Sequence, residues 1–281
     1  VVNVKDLERI IALALASGHI EGEKPLSLML VSDRPESGKT EVVLEFTYTK
    51  PEGSIVYVTD ITAYGLWRDL AKSVRGGALK HIIIPEMITP LNKGIATANH
   101  FVSTLQTLIE DGVFGIHTGF LKPIEGGGNT VGVVGCLPRT TYNSHRNSWR
   151  LSGFLSRFLI ATYKQGDDTV DAVFKSIRAG TYLTETKIQL VFPDEPIAID
   201  IPENVAQLCE DLAVSITAEA RARGELYGYR EVKNIRRMVA ANVILNNTQQ
   251  GCNNHSAQIS DFDAVNEMSY LFNEQYNAVR Q

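Results

Sequence analysis

One stretch constrains this chain more than any other: Ser32-Asp33-Arg34-Pro35-Glu36-Ser37-Gly38-Lys39-Thr40, between the mostly apolar run Leu26 to Val31 and a helical-looking segment, Glu41 to Tyr48. A strand feeding a tight loop into a helix start leaves several backbone N–H groups without intrahelical partners, and they converge where the helix dipole favours an anion. Lys39 adds a point charge for β- and γ-phosphates, and the Thr40 hydroxyl suits Mg²⁺. The stretch therefore reads as a nucleotide-binding P-loop, with Asp33, Pro35, Glu36, Ser37, Gly38, Lys39, Thr40 and Glu41 around the phosphates. The usual pattern is G-x-x-x-x-G-K-[ST]; here Asp33 stands at the first glycine. Aspartate tolerates left-handed backbone better than most residues, so the loop survives the exchange.

A P-loop implies an α/β fold with a parallel sheet, and the rest of the chain supplies it. The run Ser54 to Val58 reads as a second strand and Lys80 to Ile84 as a third, separated by a helix over 63 to 75 that Gly76-Gly77 ends. The third strand is continuously apolar at its end, as in a sheet covered on both faces. Ligands of such sheets bind at the carboxyl ends of the strands, where an acidic residue is needed for hydrolysis. Pro85 and Glu86 stand there, so Glu86 alone must serve one role, supporting Mg²⁺ or orienting the attacking water, or share both, with Asp60 a weaker candidate metal partner. Residues 98 to 111 form a strong helix, and the glycine-rich break within about 113–137 reads as a hairpin leading into a core strand, Val131 to Leu137. Arg139, Tyr142, Asn143, His145, Arg146, Trp149 and Arg150 make a basic, aromatic cluster before another strand-like run, 152 to 160. Ile197 to Ile201 reads as a short strand. Near Pro202 the texture turns helical, which divides the chain into an α/β core, 1–201, and a helical lid, 202–281. Leu7, Ile10, Ile11 and Leu15 give a leading amphipathic helix, expected at the sheet edge.

With 281 residues, 44% hydrophobic and 21% charged, the chain is long enough for such a core and is not disordered in composition. A net charge of -5 offers no global attraction to nucleic acid or anionic lipid, so any such contact must be local. Three well-separated cysteines, Cys136, Cys209 and Cys252, fit a reducing compartment, and the apolar run Ile10 to Ala16 is too short to span a bilayer. A cytoplasmic protein without membrane attachment is expected. Cys252 and His255 form a C-x-x-H pair with no second pair nearby, a poor zinc site. The chain opens on Val1 rather than Met and is read as a fragment that an N-terminal substrate-binding domain would precede.

The order of these features resembles that of the AAA+ ATPases, and more narrowly the minichromosome maintenance (MCM) helicase branch and its MoxR-like relatives. Four places carry the resemblance over about residues 26 to 275: Ser37-Gly38-Lys39-Thr40; Leu108-Ile109-Glu110-Asp111-Gly112 with the following hairpin; Phe154-Leu155-Ser156-Arg157-Phe158; and Tyr229-Arg230-Glu231-Val232-Lys233-Asn234-Ile235-Arg236-Arg237, then Ile259 to Val265. It implies Arg157 as an arginine finger reaching the neighbouring subunit's γ-phosphate and Arg230 as the sensor 2 arginine of the lid. It also implies ATP and Mg²⁺ as ligands, a homo-oligomeric ring, expected as a hexamer, and action on DNA by a helicase-type motor. Protein remodelling of MoxR-like type, or a nucleotide-dependent switch with weak hydrolysis, are the alternatives. Leu137 stands where the sensor 1 polar residue is expected, leaving Arg139, Thr140 or Asn143 as replacements.

Overall fold

Every residue of the strand Ser27–Ser32 (β1) is buried, which requires cover on both faces of its sheet. The computed structural model describes residues 4–33, 38–46, 48–113, 115–118, 121–125, 128–163, 167–180, 188–250 and 254–273. The further strands are β2 (Tyr48–Lys50), β3 (Ile55–Tyr57), β4 (His81–Ile84), β5 (Gly115–Thr118), β6 (Leu121–Glu125), β7 (Gly132–Pro138), β8 (Phe158–Tyr163) and β9 (Gln189–Val191). Five of them form one sheet in the order β3-β4-β7-β1-β8, with every neighbouring pair parallel. β5 and β6 form an antiparallel hairpin within 113–137, but with Thr118 opposite Leu121 it closes ahead of the glycine-rich break, which follows β6 rather than forming the tip, and β2 pairs with β9.

Side chains alternate across a strand, so β1 feeds two cores. Leu28 and Leu30 join Ile83, Val134, Leu159 and Ala161 against the helix Val4–Ala16, the helix Lys39–Leu44 and the C-terminal helices Glu203–Ala222 and Tyr229–Gln250. Met29 and Val31 join Ile82, Ile84, Val133 and Ile160 under the helix Ile95–Glu110, which contributes Phe101, Leu105 and Leu108, and under Trp149 and Phe154.

Three local expectations are corrected. The leading helix does not sit at the sheet edge: Ile10, Ile11 and Leu13 to Ala16 have no exposed surface, and it packs in one core with the sheet and the C-terminal helices. Its apolar run is unbroken rather than one-sided, so it needs cover all round. The run 152 to 160 becomes a turn, Leu155–Arg157, and only then β8, because Gly153 in the left-handed region (φ 74°) ends the preceding helix Arg139–Leu151. Ile197 to Ile201 forms isolated bridges, Ile20 to Ile197 and Asp200 to Ser256, rather than a strand; Pro196 and Pro202 flank it and lack the N–H a ladder needs. Among the described residues no helix is long and apolar enough to cross a membrane.

Near the amino ends of the strands two histidines are buried. His81 of β4 donates from Nε2 to the Leu26 carbonyl at 3.1 Å, and its ring leaves no room for a Cβ at Gly132, which would lie 2.4 Å from it. His19 donates from Nδ1 to the Pro193 carbonyl at 3.2 Å and stacks on Phe192. Burial, with Lys80 nearby, lowers His81 to about 3 and His19 to about 4, against an ordinary value of 6.5. Both rings stay neutral in the fold while the unfolded chain takes up protons below pH 6.5, so stability is unaffected above that pH and falls below it. Each ring contributes a slope of about 1.4 kcal/mol per pH unit between its two pKa values. Urea midpoints measured from pH 7.5 to 5 should fall on the acid side, and His19→Phe should reduce the slope. A flat profile from pH 6.5 to 5 would show that the rings protonate without unfolding.

Candidate functional site

At its carboxyl end β1 delivers Ser32 and Asp33 to the loop. Arg34, Pro35, Glu36 and Ser37 lie outside the described residues. Gly38 follows with φ 74°, a left-handed backbone that favours glycine, and starts the helix Lys39–Leu44. Lys39 turns back over the strand end, its Nζ donating to Ser32 Oγ at 2.5 Å. Burial pulls the Lys39 ammonium below the usual lysine range, partly offset by Cys136. An ammonium in that position gains from an anion brought beside it. Thr40 is half-buried and Glu41 exposed in the same first turn.

Cys136 of β7 connects this turn to the next strand. Its Sγ faces the Lys39 carbonyl at 3.9 Å, and its own carbonyl accepts from Met87 N at 3.3 Å. Burial raises its thiol to about 12, so it is a neutral spacer. Glu86, between Pro85 and Met87, is thereby held at the same sheet edge as Lys39, with its side chain exposed. Asp60 instead pairs with Lys93 at 2.5 Å. Among the described residues no three His, Cys, Asp or Glu side chains gather to hold a metal. The donor set fits a Mg²⁺ ion that takes one or two protein ligands, Thr40 and Glu86, and the rest from phosphate and water.

Asp33 forms an ion pair with Arg139, the first residue of the helix after β7, with side chains 34% and 30% exposed. Of the three residues left open for the sensor 1 role, Arg139 is thus tied to the mouth of the loop. The aspartate that replaces the first glycine has a cation matched to it, a pairing between positions 106 residues apart that the sequence does not announce.

The two arginines lie at the other end of the sheet. Arg157 immediately precedes β8, whose Phe158 is in register with Ser27 at the start of β1. Arg230 is in the first turn of the helix Tyr229–Gln250. Both line a cavity of about 200 Å³ together with Lys24, Ser27, Glu110 and Lys233. Arg157 Nη1 donates to the Gly153 carbonyl at 2.5 Å and Arg230 Nη1 to the Ser156 carbonyl at 3.2 Å. Glu110 Oε2 stands 3.6 Å from Arg157 Nε and 3.5 Å from Arg230 Nη1, while Lys24 Nζ reaches Oε1 at 3.2 Å. Burial alone would raise the Glu110 pKa, but Lys24, Arg230 and Arg157 outweigh it and hold the carboxyl below its usual range. Ser27 lines the cavity and Ser32 bonds Lys39, so the length of β1, roughly 16 Å at strand rise, separates the two groups. Sequence reasoning singled out neither Lys24 nor Glu110, whose roles depend on three segments meeting.

No family model matches this sequence, and no curated protein matches it. Solved structures do match. A candidate ATPase from Cytophaga hutchinsonii aligns with 97% of this chain and 82% of its own, at 14% identity and a TM-score of 0.51. A full-length MCM homolog from Methanopyrus kandleri aligns with 99% of this chain at 13% identity and a TM-score of 0.54. The chain spans 57% of that homolog's length. At these identities the likeness is one of fold: the five-stranded parallel sheet, with a P-loop sequence after β1, the strand beside the β8 edge, is that of a P-loop NTPase core in an AAA+ ATPase-like fold.

Proposed function

We propose that this protein is an ATP-hydrolysing motor that works as a ring of identical copies and acts on nucleic acid, in the manner of a replication-type helicase. The observation that supports the ring is the division of candidate catalytic groups between the two ends of β1. Phosphoryl transfer needs cations at the γ-phosphate and a group that orients water at the same centre. Lys39, Thr40 and Glu86 are at one end of the strand, and Arg157 and Arg230 at the other. A second copy docked through its arginine edge completes what one copy leaves divided.

In this reading Lys39 and the backbone N–H groups of the loop, including those of Glu36 and Ser37, cradle the phosphates. Thr40 and Glu86 hold Mg²⁺, which neutralises phosphate charge when bound. Glu86 orients the attacking water and accepts its proton. Arg157 and Arg230 of the adjoining copy stabilise the charge that grows on the γ-phosphate oxygens. Pro85 removes the second carboxylate of the usual pair, so Glu86 divides its capacity and turnover is slow. The segment 202–281 acts as a lid, and loss of the γ-phosphate releases its Arg230, so that lid and neighbour shift. The second reading, protein remodelling of MoxR-like type, is favoured by the net charge of -5.

ATP turnover should be measured with and without single-stranded and duplex DNA for the parent chain and for Lys39→Ala, Glu86→Gln and Arg157→Ala. Each variant should lose roughly 100-fold or more. Mixing Lys39→Ala with Arg157→Ala should restore part of the turnover, since each supplies the half the other lacks; no recovery on mixing would overturn the shared site. DNA stimulation with steeply salt-dependent binding supports the nucleic-acid motor, and its absence favours the remodeller.

The Asp33–Arg139 pair yields a separate expectation. A carboxylate at the mouth of a phosphate loop repels the ligand unless a cation offsets it. Arg139→Ala should weaken binding of a fluorescent ATP analogue about tenfold, and adding Asp33→Gly should recover most of that loss. An equal loss with Asp33 present or replaced would show that Arg139 acts on nucleotide without reference to Asp33.

A further inference from the structure

We propose that Glu110 is a built-in stand-in for phosphate: it keeps Arg157 and Arg230 together in the single copy and gives them up to the terminal phosphates of a nucleotide carried by the adjoining copy. This rests on the ring reading above and adds a positioning residue to it.

One carboxylate serves three cations from three segments. Lys24 comes from the loop before β1, Arg157 from the turn before β8 and Arg230 from the lid helix. Two guanidinium groups at such close quarters repel, and the shared oxygen Oε2 is what holds them in one place. Its hold is incomplete. At 3.6 and 3.5 Å both contacts are ion pairs longer than good hydrogen bonds, and Arg157 Nε is buried with no hydrogen-bond partner. Arg157 donates to the Gly153 carbonyl and Arg230 to the Ser156 carbonyl, so the donor left without an acceptor is Arg157 Nε. A terminal phosphate presents three oxygens and accepts bidentate pairs from guanidinium groups, so it satisfies donors that Glu110 leaves unused.

Lys24 makes the exchange affordable for Glu110 itself. It grips the other carboxylate oxygen at 3.2 Å and the Glu110 backbone carbonyl at 2.6 Å. When the arginines turn to phosphate, Glu110, a partly exposed carboxylate, keeps Lys24 as its cation and is not left unpaired. The surrounding charge is right for an anion. Lys233 and Arg237 from the same lid helix line the cavity with Lys24 and the two arginines, and of these Arg237 is paired with Glu23 at 2.8 Å. Five cations thus face Glu110 and Glu23. Lys24, Arg230 and Arg157 hold the Glu110 pKa below its usual range, so the carboxylate is ionised at neutral pH.

The stand-in is measurable without ring formation or turnover. Calorimetric titration with inorganic tripolyphosphate, in a Lys39→Ala background that removes the P-loop lysine, reads this cavity directly. Adding Glu110→Gln should tighten tripolyphosphate binding at least tenfold, and adding Arg157→Ala to that variant should abolish the gain. Glu110→Asp draws the carboxylate back by one methylene and should give a smaller gain in the same direction; it is the variant to read if Glu110→Gln fails to fold. Binding that is unchanged or weaker in the folded Glu110 variants would overturn the proposal, because the carboxylate would then not compete with phosphate. Failure of the mixing experiment would instead remove the ring while leaving this competition intact.

Discussion

Burial of β1 on both faces drives the useful chemistry to its two ends. A strand whose residues are all inside cannot carry charge along its length, because an unpaired charge there would cost far more than the strand's packing returns. Charged side chains are therefore found beyond Ser32 at one end, as Lys39, and around Ser27 at the other. The parallel neighbours β7 and β8 obey the same rule. β7 ends in Pro138 and then Arg139, and β8 is entered through Arg157. Groups at the two ends of such a sheet are kept apart by the strand length, and in the proposed ring a second copy bridges that separation.

The acidic balance of the chain takes on a local meaning. Arg139 has Asp33, Lys93 has Asp60, Arg237 has Glu23, Arg150 has Glu225, and Glu110 serves Lys24, Arg157 and Arg230. Most of these pairs are half-exposed and contribute little to stability on their own, on the order of a few tenths to 1 kcal/mol. Their effect is on position and on potential: a guanidinium held by a carboxylate is ready for an anion but does not attract one indiscriminately. A net charge of -5 is thus compatible with two local clusters of cationic side chains.

How much of this was legible depended on the range of the interaction. The continuous apolar runs before Asp33, Pro85 and Pro138 reveal β1, β4 and β7 because a strand buried on both faces must be apolar throughout. The loop after β1 stands out because its spacing is local, and Arg157 and Arg230 stand out because their neighbours in sequence carry a pattern, while their roles remain part of the proposal above. Glu110 reads as an ordinary helix-end residue, since Lys24 is 86 positions away and Arg230 further still. The partner of Asp33 is hidden for the same reason. Val4–Ala16 was misplaced because its spacing gives an amphipathic face, whereas the full run Ile10 to Ala16 is buried between the sheet and the C-terminal helices.

That misplacement bears on how the two ends communicate. Val4–Ala16 shares one core with Leu28 and Leu30 of β1, with Val42 and Val43 of the helix after the loop, and with Ile235, Met238 and Val239 of the helix that begins at Tyr229. Close-packed side chains do not slide by fractions of a contact; they keep one arrangement or adopt another. Arg230 is one turn from Asn234 and Ile235, so its position is fixed by the same core that seats the P-loop helix. A displacement at Lys39 therefore has a packed route to Arg230, through Val42 and Val43 to Val4–Ala16 and from there to the helix Tyr229–Gln250. The sheet supplies the rigid spacer of that route, and Glu110 joins Arg157, just before β8, to Arg230 at the start of that helix.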